Sequence, residues 1–173
     1  MARMPSEQSL DPLRNQLLEV LKNSGMSEKE NRTVLLQCAA QIKNKSIVKQ
    51  TAKELGLTLS RFISNEDLEL YHDLKRGKRD AGYISKGWED PGFRIGDLID
   101  VPANHLTPDN LNDLMKFCST RGVAFSLEEK DGSLSLHMDS VIYSAGFNKK
   151  VLKQVLHYLH VCAEKVSSLS GSA

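Results

Sequence analysis

Residues 124–147, AFSLEEKDGSLSLHMDSVIYSAGF, decide the reading of the fold. Apolar and polar residues alternate on both sides of Asp131-Gly132, a dipeptide suited to the left-handed positions of a two-residue primed turn, so a β-hairpin is predicted. That turn pairs Leu127 with Leu136 and Phe125 with Met138. The register puts Val123, Phe125, Leu127, Leu134, Leu136, Met138 and Ile142 on one face. Ser126, Glu128, Ser135, His137 and Asp139 share the other, so the sheet has one dry and one wet side.

Outward from the hairpin, NKKVLKQVLHYLHVCAEKVSSL carries Val151, Leu152, Val155, Leu159, Cys162 and Val166 as a continuous helical stripe able to cover the dry face. Upstream, TPDNLNDLMKFCSTRG predicts a helix with Thr107 as cap, Pro108 at its first position and Gly122 at its stop. FRIGDLIDVP before it suits a strand ended by Pro102. From Leu98 onward the order strand, helix, hairpin, helix describes an α+β unit, residues 98–173, in which a small antiparallel sheet packs against helices.

The first 76 residues have a helical texture. Asp11, Pro12 and Gly25 frame a first helix, Ser27 and Glu30 have capping-box spacing before a second, and SIVKQTAKELG makes a third ending at Gly56. The segment LTLSRFISNEDLELYHDLKRG supplies a fourth, giving an N-terminal helical bundle. Residues 77–97 then hold five glycines and a proline and are predicted to be a linker or crossing segment.

Residues 111–166 together resemble the closing part of the bacterial YbjN family and the related type III secretion chaperone fold. The shared features are a leading helix, a strand ending in acidic residues, Asp-Gly, a strand of alternating apolar residues, a polar glycine-containing loop and a long closing helix. The resemblance implies a catalytically silent protein that binds other polypeptides, usually as a dimer, through its sheet and neighbouring helices.

Composition sets outer limits. The chain has 173 residues, 40% hydrophobic and 26% charged, with a net charge of +1, which suits a folded globular protein. No apolar run approaches the ~20 residues of a membrane helix, and the opening MARMPSEQSLDPLRNQ lacks a signal-peptide core, so a soluble, cytoplasmic protein without membrane insertion is expected. Cys38, Cys118 and Cys162 sit in apolar helical patterns and read as reduced core residues.

Reactive constellations are thin. His157, His160 and Glu164 share a helix side, but no second Cys/His cluster follows, so no metal is expected. Ser135, His137 and Asp139 alternate on the wet strand face without a nucleophile elbow, as polar residues on any half-buried strand do. No glycine motif cradles phosphate, and no cofactor is expected. Residues 48–64 resemble a helix-turn-helix, with Ala52 between crossing helices and Gly56 at the turn; Lys49, Lys53, Arg61, Lys75, Arg76, Lys78 and Arg79 would then meet phosphates. Against it, Glu66, Asp67 and Glu69 would repel a nucleic-acid backbone.

The expectation is therefore a non-enzymatic intracellular adaptor, like a secretion chaperone, that binds another protein. Tyr83, Trp88, Phe93, Tyr143 and Phe147 are its candidate interface anchors. A nucleic-acid-binding regulator is the alternative.

Overall fold

The computed structural model describes residues 7–63, 67–101, 106–130 and 133–170. In chain order these form α1 (Glu7–Asn23), α2 (Glu28–Glu54), β1 (Thr58–Ile63), β2 (Leu68–Arg76), β3 (Arg79–Gly87), β4 (Gly92–Val101), α3 (Pro108–Ser119), β5 (Ala124–Lys130), β6 (Ser133–Tyr143), a short 3-10 turn (Ser144–Gly146) and α4 (Lys149–Ser170). The chain divides into two compact units, Met1–Lys43 and Asn44–Ala173.

The first unit holds α1 and the opening turns of α2. The Ser27 N–H donates to Glu30 Oε2 at 2.8 Å and the Glu30 N–H to Ser27 Oγ at 3.3 Å, the reciprocal pair that sequence spacing predicts. This carboxylate, held by both groups of Ser27, has its pKa lowered. Pro12 lies within α1 instead of at its first position. No helical bundle forms, because only these two helices precede the sheet among the described residues. Leu36 and Ile42 are consequently exposed.

The second unit is one six-stranded antiparallel sheet, in the order β1-β2-β3-β4-β6-β5, backed by helices. Its mixed α/β character agrees with the sequence reading, but the sheet occupies the middle of the chain with helices at both ends. Residues 68–76, read as helix, form β2: Leu70, His72 and Leu74 are buried at a period of two. Residues 77–97 are no linker, since they supply β3 and the first part of β4. Of the glycines that suggested one, Gly82 and Gly92 instead admit neighbouring backbone, and at Gly96 a Cβ would collide with the Tyr83 ring.

Two helices predicted around residue 45 are one, because Glu28–Glu54 contains neither proline nor glycine. That helix does stop where expected. Gly56 has φ +67°, its N–H bonds to Lys53 O at 3.1 Å, and the Leu57 N–H bonds to Ala52 O at 2.9 Å, which completes a Schellman ending. The chain then enters β1, so no second helix of a helix-turn-helix exists.

The hairpin register is the predicted one, with Phe125 opposite Met138 and Leu127 opposite Leu136; Asp131 and Gly132 lie outside the described residues. Thr107 Oγ1 accepts from the Asn110 N–H at 3.2 Å and caps α3, whose first residue is Pro108. The core joins Phe93 and Ile95 of β4 and Leu136 and Met138 of β6 to Leu114 and Cys118 of α3 and Leu152, Leu159, Cys162 and Val166 of α4. Each of the Phe, Ile, Leu, Met and Val side chains among them contributes about 1.5–3 kcal/mol by leaving water.

Cys38 departs from the core expectation and is exposed, whereas Cys118 and Cys162 are buried. Burial and the neighbouring Cys162 push the Cys118 thiol up to about 12. Folding therefore retains a proton that the unfolded chain releases, so stability falls as pH rises from about 9 towards 12, by up to about 1.4 kcal/mol per unit. Urea titrations across that range should show this slope, and Cys118→Ala should reduce it, leaving the part due to Cys162, whose thiol burial also pushes up. A thiol reagent at neutral pH should label Cys38 alone in the native protein.

Candidate functional site

Strand alternation puts Tyr71 and Asp73 of β2, Tyr83 and Ser85 of β3, Arg94, Leu98 and Asp100 of β4, Val141, Asp139, His137 and Ser135 of β6, and Glu128 of β5 on the sheet face opposite the core. Their centre is a trough of about 540 Å³ lined by Tyr71, Tyr83, Ser85, Arg94, Leu98 and His137, with Asp67 and Asp90 at its rim. Tyr71 and Tyr83 stack with ring centroids 5.6 Å apart. Tyr83 lies over Gly96, where any side chain would occupy the space of its ring.

The electrostatics of this face are acidic. Ser135 Oγ donates to Asp100 at 2.7 Å, and His137 Nε2 lies 3.1 Å from Glu128. Burial raises the pKa of Tyr83, and the carboxylates of Asp139 and Asp97 add to the rise against the opposing Arg94. Ser135 and His137 thus engage different carboxylates, Asp100 and Glu128. His160 Nε2 lies 3.5 Å from Glu164 on the exposed side of α4, and among the described residues no three ligating side chains are arranged to hold a metal.

The sequence-predicted anchors separate into two groups. Tyr83 lies in the trough, Tyr143 ends β6 and is exposed, and Trp88 follows β3 between Gly87 and Asp90 and is 37% exposed. Phe93 and Phe147 are corrections. Both are buried, with ring centroids 4.4 Å apart, and serve the core. Tyr71, Arg94 and Leu98 were missed; reading residues 68–76 as a strand would have brought Tyr71 beside Tyr83.

The predicted basic set also disperses. Lys75, Arg76, Lys78 and Arg79 surround the β2–β3 turn, where Lys75 lies 3.7 Å from Asp80. Arg61 is on β1, its side chain outside the described residues. Lys49 and Lys53 instead join Lys45 along a second concavity, of about 650 Å³, floored by Leu57, Thr58, Leu59 and His72. Among the described residues no helix is long and apolar enough to cross a membrane.

No protein-family model matches the chain, and no curated protein matches it. Among solved structures, an uncharacterized protein from Methanothermobacter thermautotrophicus is similar in fold, with a TM-score of 0.59 at 15% identity over 73% of this chain and 95% of that one. That likeness concerns the fold alone.

Proposed function

We propose that this protein is a non-enzymatic adaptor that binds a basic, partly apolar segment of another polypeptide across the uncovered face of its sheet. The observation that carries the reading is the combination of exposed Leu98, Val141 and Tyr143 and the stacked tyrosines with Asp100, Asp139, Glu128 and the rim carboxylates Asp67 and Asp90. Apolar and aromatic groups supply contact area at such a surface, and the carboxylates select a partner of opposite charge. A nucleic-acid backbone would meet repulsion on the same face.

The test is capture from native lysate with and without nuclease, using the full chain and the double variant Leu98→Lys/Tyr143→Lys. Both positions are exposed, so the fold tolerates the change. A stoichiometric protein that survives nuclease and is lost with the double variant is the expected result. Retention by the variant, or capture of nucleic acid alone, overturns the proposal. Once that partner is in hand, Trp88→Ala should weaken its complex by about 2 kcal/mol, read by titration calorimetry.

A further inference from the structure

The second concavity has a different chemistry. Lys45, Lys49 and Lys53 recur every four residues, so they stack along one side of α2, each about 6 Å beyond the last. Among the described residues no carboxylate forms an ion pair with any of the three. Below them lie the apolar groups of Leu57 and Leu59 and the ring of His72. Phe62 of β1 carries Lys45 Nζ 3.8 Å above its ring and lies 5.0 Å from the His72 ring.

His72 is 8% exposed, and its Nδ1 has no hydrogen-bond partner among the described residues. A buried polar atom without a partner is unfavourable, which marks a position that a bound group could satisfy. Burial, with Lys45 nearby, holds the ring below the ordinary histidine range despite the adjoining Asp73. That shift favours the neutral imidazole, which can donate or accept without adding charge.

We propose that this groove, between the last turns of α2 and the strand β1, binds a small amphiphilic anion: an oxyanion head group among the lysines and an apolar chain against Leu57 and Leu59. The volume falls within the range of about 300–1,000 Å³ for small-molecule sites. The three ammonium groups are complementary to an oxyanion, and the apolar floor is complementary to a hydrocarbon body. Inorganic phosphate alone would leave the floor unused, and a neutral alcohol would leave the lysines unused.

Calorimetric titration of the full chain with decanoate, decyl phosphate, decanol and inorganic phosphate tests the assignment. Saturable one-to-one binding of decanoate or decyl phosphate, at least about tenfold tighter than decanol or inorganic phosphate, is expected; the tighter of the two identifies the preferred head group. The double variant Lys49→Gln/Lys53→Gln, with both positions exposed, should stay close to the wild-type unfolding midpoint and lose roughly tenfold or more in affinity. The His72 ring resonances should move during the wild-type titration. Absence of saturable binding by both anions, decanol binding as tightly as either, an unchanged affinity in the double variant, or unmoved His72 resonances would each overturn the site. An acidic peptide that binds there when both anions fail would overturn it in favour of a polypeptide ligand.

Discussion

Replacing Lys86 by Met is expected to lower the unfolding free energy by about 3–5 kcal/mol. Lys86 Nζ lies 3.0 Å from Glu69 Oε2, with the two side chains 7% and 4% exposed. The ammonium also donates to the carbonyl oxygens of Gly87 at 3.2 Å and Asp90 at 2.8 Å, and Asn44 Nδ2 donates to Glu69 Oε1 at 2.6 Å. Removing the lysine charge strands a carboxylate away from water. It also removes a donor from the carbonyls of Gly87 and Asp90, at the two ends of the β3–β4 connection.

The companion experiment replaces both partners. Glu69→Leu/Lys86→Met removes both buried charges, so it should recover much of the loss, because an apolar pair incurs no ionic desolvation penalty. Urea unfolding of the two single variants and the double variant gives the coupling energy directly. A loss below about 1 kcal/mol for Lys86→Met would mean that water reaches Glu69 and that the pair is effectively a surface contact.

Gly92→Ala should be comparably damaging for a different reason. A Cβ on Gly92 would meet the backbone of Ile142 and Tyr143, with the Ile142 carbonyl carbon and the Tyr143 Cα both at 2.8 Å. These atoms belong to β6, the strand paired with β4 from Gly92–Tyr143 to Val101–Leu134, so they cannot rotate aside as a side-chain tip can. Overpacking of this sort is unfavourable by about 1–3 kcal/mol, and by more when backbone must yield.

We expect about 3 kcal/mol or more from Gly92→Ala, together with faster amide exchange in β4 and β6. Gly122→Ala is the internal control. Nothing lies within 4 Å of its added Cβ, so only the left-handed conformation at φ +66° opposes the change, at about 1–2 kcal/mol. Equal losses at the two glycines would show that close strand approach contributes little at Gly92.

The sequence was most informative where a signal is local and unopposed. Thr107, Pro108 and Gly122 delimit α3, Ser27 and Glu30 cap α2, and the alternation around the hairpin sets its register, because each depends on residues within a few positions of one another. The same local logic misreads 57–97. Glu69 and Lys86 put charges where buried strands are expected to be apolar, and their pairing across β2 and β3 becomes visible only when those strands are assembled. The glycines at 92 and 96 signal a linker by composition, yet one admits a neighbouring backbone and the other an aromatic ring.

The candidate sites divide along the same line. Lys49 and Lys53 were legible as basic contacts, but Lys45 was not, and the expected helix after Gly56 put a recognition helix where the chain forms β1 and a groove floor. Tyr83 was legible as an interface aromatic, but its partner Tyr71 was hidden in a segment read as helix. By itself the amino-acid sequence determined the closing helix–hairpin–helix, the cap of α2 at Ser27, its stop at Gly56, the ends of α3 and the wet face of β5 and β6. Only the tertiary structure decided that β4 pairs with β6 across the intervening α3 and that β1, β2 and β3 extend the same sheet, since those choices depend on backbone hydrogen bonds and burial between segments far apart in the chain.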